Sequence, residues 1–152
     1  MFVVSDLSTF VNFNPGESVY LECAMSLNAL VVDDSMLIRH TVCRYLEERG
    51  FAVETAANGQ EALETLKRLL PDLIITDMHM PKMGGTEFIT ALKSNAETAS
   101  IPIVVVSSKH NESIKKENRA DLKIYKDIEI EEQLANALQT VLRTAKAQAA
   151  GK

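Results

Sequence analysis

Four short apolar runs, rich in β-branched residues, each end on a residue with chemistry of its own. Ala29-Leu30-Val31-Val32 leads into Asp33-Asp34, Leu73-Ile74-Ile75-Thr76 into Asp77, Ile103-Val104-Val105-Val106 into Ser107, and Leu122-Lys123-Ile124-Tyr125 into Lys126. Runs that stay apolar instead of alternating suit strands covered on both faces, as in a parallel sheet. Between the runs the period becomes helical. Ser35 is placed to cap a helix whose Ile38, Val42 and Leu46 recur every fourth residue, and Gly50 to stop it. Phe51 to Ala56 reads as a further strand. Asn58-Gly59 then turns the chain into a helix carrying Ala62, Leu63, Leu66 and Leu69/Leu70, ended by Pro71. Phe88, Ile89 and Leu92 mark a third helix after Gly84-Gly85, while the polar stretch Asn111 to Asn118 predicts only a short one. Ile130, Leu134, Ala137/Leu138 and Val141/Leu142 form a strong last stripe that frays into Ala145 to Ala150. This alternation predicts an α/β domain, a parallel sheet with helices on both faces.

In such a sheet the carboxyl ends of the strands share one edge, so Asp33, Asp34, Asp77, Ser107 and Lys126 converge there. A carboxylate cannot approach a doubly ionised phosphoryl donor unless charge is neutralised, and a hard, oxygen-seeking Mg²⁺ seated on paired carboxylates does that best. Asp77 would then be the nucleophile, forming an acyl phosphate, with Lys126 compensating equatorial charge and the Ser107 hydroxyl donating to a phosphoryl oxygen. Each residue has a plainer explanation. Asp34 and Ser35 would serve as helix caps, Ser107 would bond its own backbone, and Lys126 would be a solvated surface charge. The coincidence of all of them at four strand ends favours the functional reading.

A chain of 152 residues, 46% hydrophobic, suits one compact domain. Its net charge of -5 with scattered Lys and Arg lacks the basic stripe of a nucleic-acid binder, so direct DNA binding is not expected. Cys23 and Cys43 show no metal-ligand spacing and suit a reducing cytoplasm, and no run reaches the length of a membrane span. Residues 1–24 stand outside the alternation. Thr9 to Phe13 and Ser18 to Glu22 around Asn14-Pro15-Gly16-Glu17 would make a β-hairpin; alternatively, and more simply, they extend upstream of a functional start at Met25. The expected division is an N-terminal extension over 1–26, a domain over 27–147 and a frayed tail over 148–152.

The stretches Leu30-Val31-Val32-Asp33-Asp34-Ser35, Ala57-Asn58-Gly59-Gln60-Glu61-Ala62-Leu63, and Pro71 through Thr76-Asp77-Met78-His79-Met80-Pro81-Lys82-Met83-Gly84-Gly85 resemble, in order and spacing, the signatures of the receiver domain of two-component response regulators. The likeness runs from about Leu27 to Ala145. It implies a flavodoxin-like, doubly wound five-stranded sheet in the order 2-1-3-4-5, and phosphorylation of Asp77 by a sensor histidine kinase or phosphotransfer protein. It also implies Mg²⁺ touched directly by Asp34 and Asp77, through water by Asp33, and by the His79 main-chain carbonyl. By the same resemblance the His79 and Lys109 side chains would stand at the pocket mouth, where they would modulate dephosphorylation. The protein would then be a cytoplasmic switch that signals by binding an unnamed target, with a second copy of itself left open as a partner.

Departures from the family pattern bear on the output. Asp127 follows Lys126 where the family usually has a proline, and Lys123 stands where an aromatic switch residue is common. The interval from Ser107 to Lys126 is about three residues short, so the fourth helix is expected to be clipped and the signalling face atypical. These features lend some support to a pseudo-receiver, a scaffold that does not cycle phosphate. A phosphohydrolase with an aspartyl nucleophile is disfavoured, since no Asp-x-Asp follows the first strand.

Overall fold

The apolar runs form the strands that their composition predicts, and the described residues alternate strand and helix. The computed structural model describes residues 27–108, 112–126 and 129–150. The expectations for residues 1–24, for Lys109 and for the Lys126–Asp127 peptide lie outside the described residues. The elements are β1 (Leu27–Val32), α1 (Met36–Glu47), β2 (Phe51–Ala56), α2 (Gly59–Leu66), β3 (Leu73–Asp77), α3 (Gly85–Lys93), β4 (Ile103–Ser107), α4 (Glu112–Lys116), β5 (Leu122–Tyr125) and α5 (Ile130–Ala150). The sheet has the order β2-β1-β3-β4-β5 with every pair parallel, as the family resemblance implies.

Strand residues alternate between two apolar layers because successive side chains leave opposite faces of the sheet. Ala29, Val31, Leu73, Ile75, Val104 and Val106 face α1 and α5 through Val42, Leu46, Leu134 and Leu138. Leu30, Val32, Ile74, Ile103 and Val105 face α2, α3 and α4 through Ala62, Phe88, Ile89, Leu92 and Ile114. Both faces are therefore dry, which is why the central runs tolerate no polar alternation.

Local chemistry sets the ends of the helices. Ser35 Oγ accepts the Ile38 N–H at 3.3 Å, and Asn58 Oδ1 accepts the Glu61 N–H at 3.0 Å. Gly50 adopts φ 91 just beyond α1, a left-handed conformation that other residues enter at a cost. One boundary differs from expectation: α2 stops at Leu66, before Leu69 and Leu70. There the Lys67 and Arg68 N–H groups bond the carbonyls of Glu64 and Thr65, three residues back, tightening the last turn. Pro71 disfavours helical backbone at Leu70, which is left 48% exposed. The helix α4 is short, as its weak pattern implies, with Ile114 as its buried anchor.

Candidate functional site

The chain leaves β1 toward β2 on one side and leaves β3 toward β4 on the other, so the carboxyl ends of β1 and β3 open a crevice between divergent connections. Val32 pairs with Thr76, which sets Asp33 beside Asp77 one step further on. Asp77 pairs with Val106 and Ser107 with Tyr125, so the next residue, Lys126, also arrives at this edge. Carboxylate oxygens of Asp33, Asp34 and Asp77 all lie within 4.8 Å of one another. Lys126 Nζ donates to Asp77 Oδ2 at 3.1 Å and stands 3.0 Å from Asp33 Oδ2. It approaches the second oxygen off the direction of a hydrogen bond, leaving Asp33 Oδ2 buried without a directed donor.

Asp33 and Asp77 are buried, while Asp34 is exposed at the mouth. Burial pushes the Asp33 carboxyl above its ordinary range and Asp77 adds to the rise; the Ser35 N–H and the Lys126 ammonium oppose it without prevailing. For Lys126 burial acts to lower the pKa, but its contact with Asp33 and the charges of Asp77 and Asp33 outweigh it, and the ammonium is held charged above its usual range.

The loop after β3 supports Asp77 from below. Asp77 Oδ1 accepts the Met78 N–H at 2.7 Å, so each carboxylate oxygen has its own donor. The Gly85 N–H donates to the Met78 carbonyl at 2.9 Å. A Cβ on Gly85 would collide with the Asp77 carbonyl, which explains why α3 opens on a bare Cα against this loop. Ser107 is buried at the end of β4, and its carbonyl accepts the Lys126 N–H at 3.0 Å. His79, two residues beyond Asp77, has an exposed side chain. A cleft of about 300 Å³ lined by Leu27, Phe51, Pro102 and Leu138 lies at the opposite edge of the sheet. The two carboxylates lining that cleft, Asp72 and Asp121, accept the N–H groups of Asn28 in β1 and Ile103 in β4.

The sequence model of the response regulator receiver domain matches residues 29–146. The chain belongs to that family. As a receiver domain it is 45% identical over 83 residues to a protein-glutamate methylesterase/protein-glutamine glutaminase of Archaeoglobus fulgidus, a match over 54% of this chain and 23% of that protein. It is 37% identical over 87 residues to a response regulator of Synechocystis, covering 57% of this chain and 38% of the relative. The chain thus spans well under half the length of these curated relatives. Among solved structures, a chemotaxis response regulator of Vibrio cholerae superposes with a TM-score of 0.70 at 34% identity, covering 77% of this chain and 99% of that one. The receiver domain of a signal transduction histidine kinase from Syntrophus aciditrophicus superposes with a TM-score of 0.73 at 29% identity, covering 80% and 93% of the two chains.

Within this receiver domain, Lys123 has no ring to turn; its Nζ reaches the Lys115 carbonyl at the end of α4 at 3.4 Å. A separate ion pair, not legible in the sequence, carries a side chain that ties the same region to α3. Arg119 binds the buried Glu117 carboxylate through Nε at 2.9 Å and Nη2 at 2.7 Å, and its Nη1 donates to Thr90 Oγ1 at 2.8 Å. Sequence reasoning also missed Arg39, whose Nη1 donates to the Asp33 carbonyl at 2.6 Å. Its only signal was a cation on the first turns of the helix after the acidic pair. The donor set of the cluster suits a hard cation: its three ligand groups are all carboxylates, and a buried Asp33 oxygen lacks a directed donor. No helix among the described residues is long and apolar enough to cross a membrane.

Proposed function

We propose that the domain accepts a phosphoryl group on Asp77 from a phosphohistidine of a sensor histidine kinase or phosphotransfer protein, in a Mg²⁺-dependent reaction, and signals by phosphorylation-dependent protein binding. The observation that carries this reading is the placement of Lys126 between Asp77 and Asp33, with Asp34 completing the cluster. An Asp77 oxygen attacks phosphorus in line, forming the O–P bond as the P–N bond breaks, and the bonding pair leaves with the donor's imidazole nitrogen. Lys126, held charged and already aimed at Asp77, follows the charge that develops on the phosphoryl oxygens. The Ser107 hydroxyl is assigned as a donor to a phosphoryl oxygen. The Met78 N–H keeps one Asp77 oxygen engaged, so the carboxylate presents one orientation to the incoming phosphorus.

Asp33, Asp34 and Asp77, with the His79 carbonyl, would hold Mg²⁺, which when bound neutralises phosphoryl charge so that a carboxylate can approach. Residues 27–147 form the signalling unit in this reading, with 1–26 as an extension and 148–152 as a tail, in a cytoplasmic protein. Intact mass after acetyl phosphate with Mg²⁺ tests the proposal. The parent should gain one phosphoryl group and Asp77→Asn none. A parent that stays unlabelled in Mg²⁺ would instead be a scaffold that does not cycle phosphate, the reading that Lys123 in the aromatic position favours.

A further inference from the structure

Arg39 lies on α1, and the carbonyl that accepts its Nη1 at 2.6 Å belongs to the peptide joining Asp33 to Asp34, the two adjacent carboxylates of the cluster. Two other groups of Asp33 are tied as well. Its N–H donates to the Ala56 carbonyl at 3.1 Å, and its Oδ1 accepts the Ser35 N–H at 2.8 Å. The peptide unit is planar, so turning it changes ψ of Asp33 and φ of Asp34 together. That rotation would swing the exposed Asp34 carboxylate toward or away from buried Asp33 and Asp77. A charged donor on this carbonyl is a strong anchor against such rotation.

We propose that Arg39 is a positioning residue for the cation site: it locks the Asp33–Asp34 peptide plane so that both carboxylates converge on one point. The inference rests on the Mg²⁺ reading above. Residues that orient metal ligands from behind change affinity by about 10- to 100-fold when removed.

Positioning and plain electrostatics demand opposite signs. The guanidinium is a cation close to a cation site, so if only its charge mattered, deleting it would tighten Mg²⁺ binding. If it holds the peptide, deleting it loosens binding. The experiment is calorimetric titration of the full chain with Mg²⁺, alongside its thermal midpoint in Mg²⁺-free buffer. Arg39→Met should bind Mg²⁺ about tenfold more weakly while melting cooperatively, and Arg39→Lys, which keeps a cationic donor, should recover most of the affinity. A residue with a merely structural role would lower the midpoint and leave the affinity alone. Should Arg39→Met fail to fold, Arg39→Gln removes the same charge and carries the same expectation. Equal or tighter binding by the folded variant overturns the assignment of Arg39 and leaves the Mg²⁺ reading intact. A parent that binds no Mg²⁺ overturns both.

Discussion

Lys126 donates to Asp77 across 49 residues of sequence, at 3.1 Å, from the end of the edge strand to the end of the central one. The same ammonium stands 3.0 Å from Asp33, so one cation serves two buried carboxylates. Its raised pKa keeps it charged throughout the neutral range.

Lys126→Met should therefore separate two properties that usually move together. Without the ammonium, Asp33 and Asp77 lose their resident cation, and Mg²⁺ affinity measured by calorimetry should rise. The rate of labelling by acetyl phosphate should nonetheless fall by about a hundredfold, because the donor that follows the developing charge is gone. Labelling at the parental rate would remove Lys126 from the chemistry.

Glu117 and Arg119 give a pH-dependent contribution to stability. The Arg119 hydrogen bonds hold the buried Glu117 carboxyl below its ordinary value of 4.5 in spite of burial. A carboxyl with a depressed folded pKa stabilises fully above its unfolded value and ceases to do so as pH falls through the folded one. Arg119→Ala, which strands a buried carboxylate, should cost about 2–3 kcal/mol in urea melts at pH 7. The difference from the parent should shrink as pH drops below the ordinary value of 4.5, as the parent's Glu117 takes up a proton and the ion pair is lost. A difference that stays constant to pH 3 would contradict this account.

Gly85→Ala and Gly50→Ala should behave differently. A Cβ at Gly85 collides with the main chain of Asp77 and Met78, whereas at Gly50 it meets nothing within 4 Å and only the φ of 91 is costly. Both variants should melt lower, by about 1–3 kcal/mol. Only Gly85→Ala should also slow acetyl phosphate labelling of Asp77, because only it moves the nucleophile. Equal labelling rates would show that the α3 terminus does not position Asp77.

His79→Ala should change the decay rate of phosphorylated Asp77 by more than about twofold while leaving Mg²⁺ affinity unaltered. The side chain is exposed two residues beyond Asp77, and the family resemblance would put it where a hydrolytic water must line up opposite the aspartyl oxygen. Decay within about twofold of the parent, under half a kcal/mol of barrier, would make it an ordinary loop residue.

The strands and their polar terminators could be read from the chain because a run such as Ile103 to Val106 has few stable places other than a strand dry on both faces. The Ser35 cap was readable because its hydrogen bond spans only three residues, whereas Asn58, read as part of a turn, caps α2 through the Glu61 N–H. The end of α2 was not, because Leu69 and Leu70 continue the apolar period beyond the point where the backbone tightens ahead of Pro71. Period reports which side a residue takes, not where a hydrogen-bond ladder gives out.

The sequence by itself therefore determined the elements, their parallel pairing and the set of residues delivered to one edge, because these follow from local period and from the handedness of strand–helix–strand connections. The tertiary structure decided which of those residues touch. Register sets Asp33 beside Asp77, and β5, next to β4, delivers Lys126 to both. Arg39 reaches back six residues to the Asp33 carbonyl, and Arg119 reaches 29 residues to Thr90. Neither contact follows a helical or strand spacing. Where such a side chain ends depends on the direction of a loop carbonyl or the approach of a packed helix, and those are fixed only when the layers close on one another.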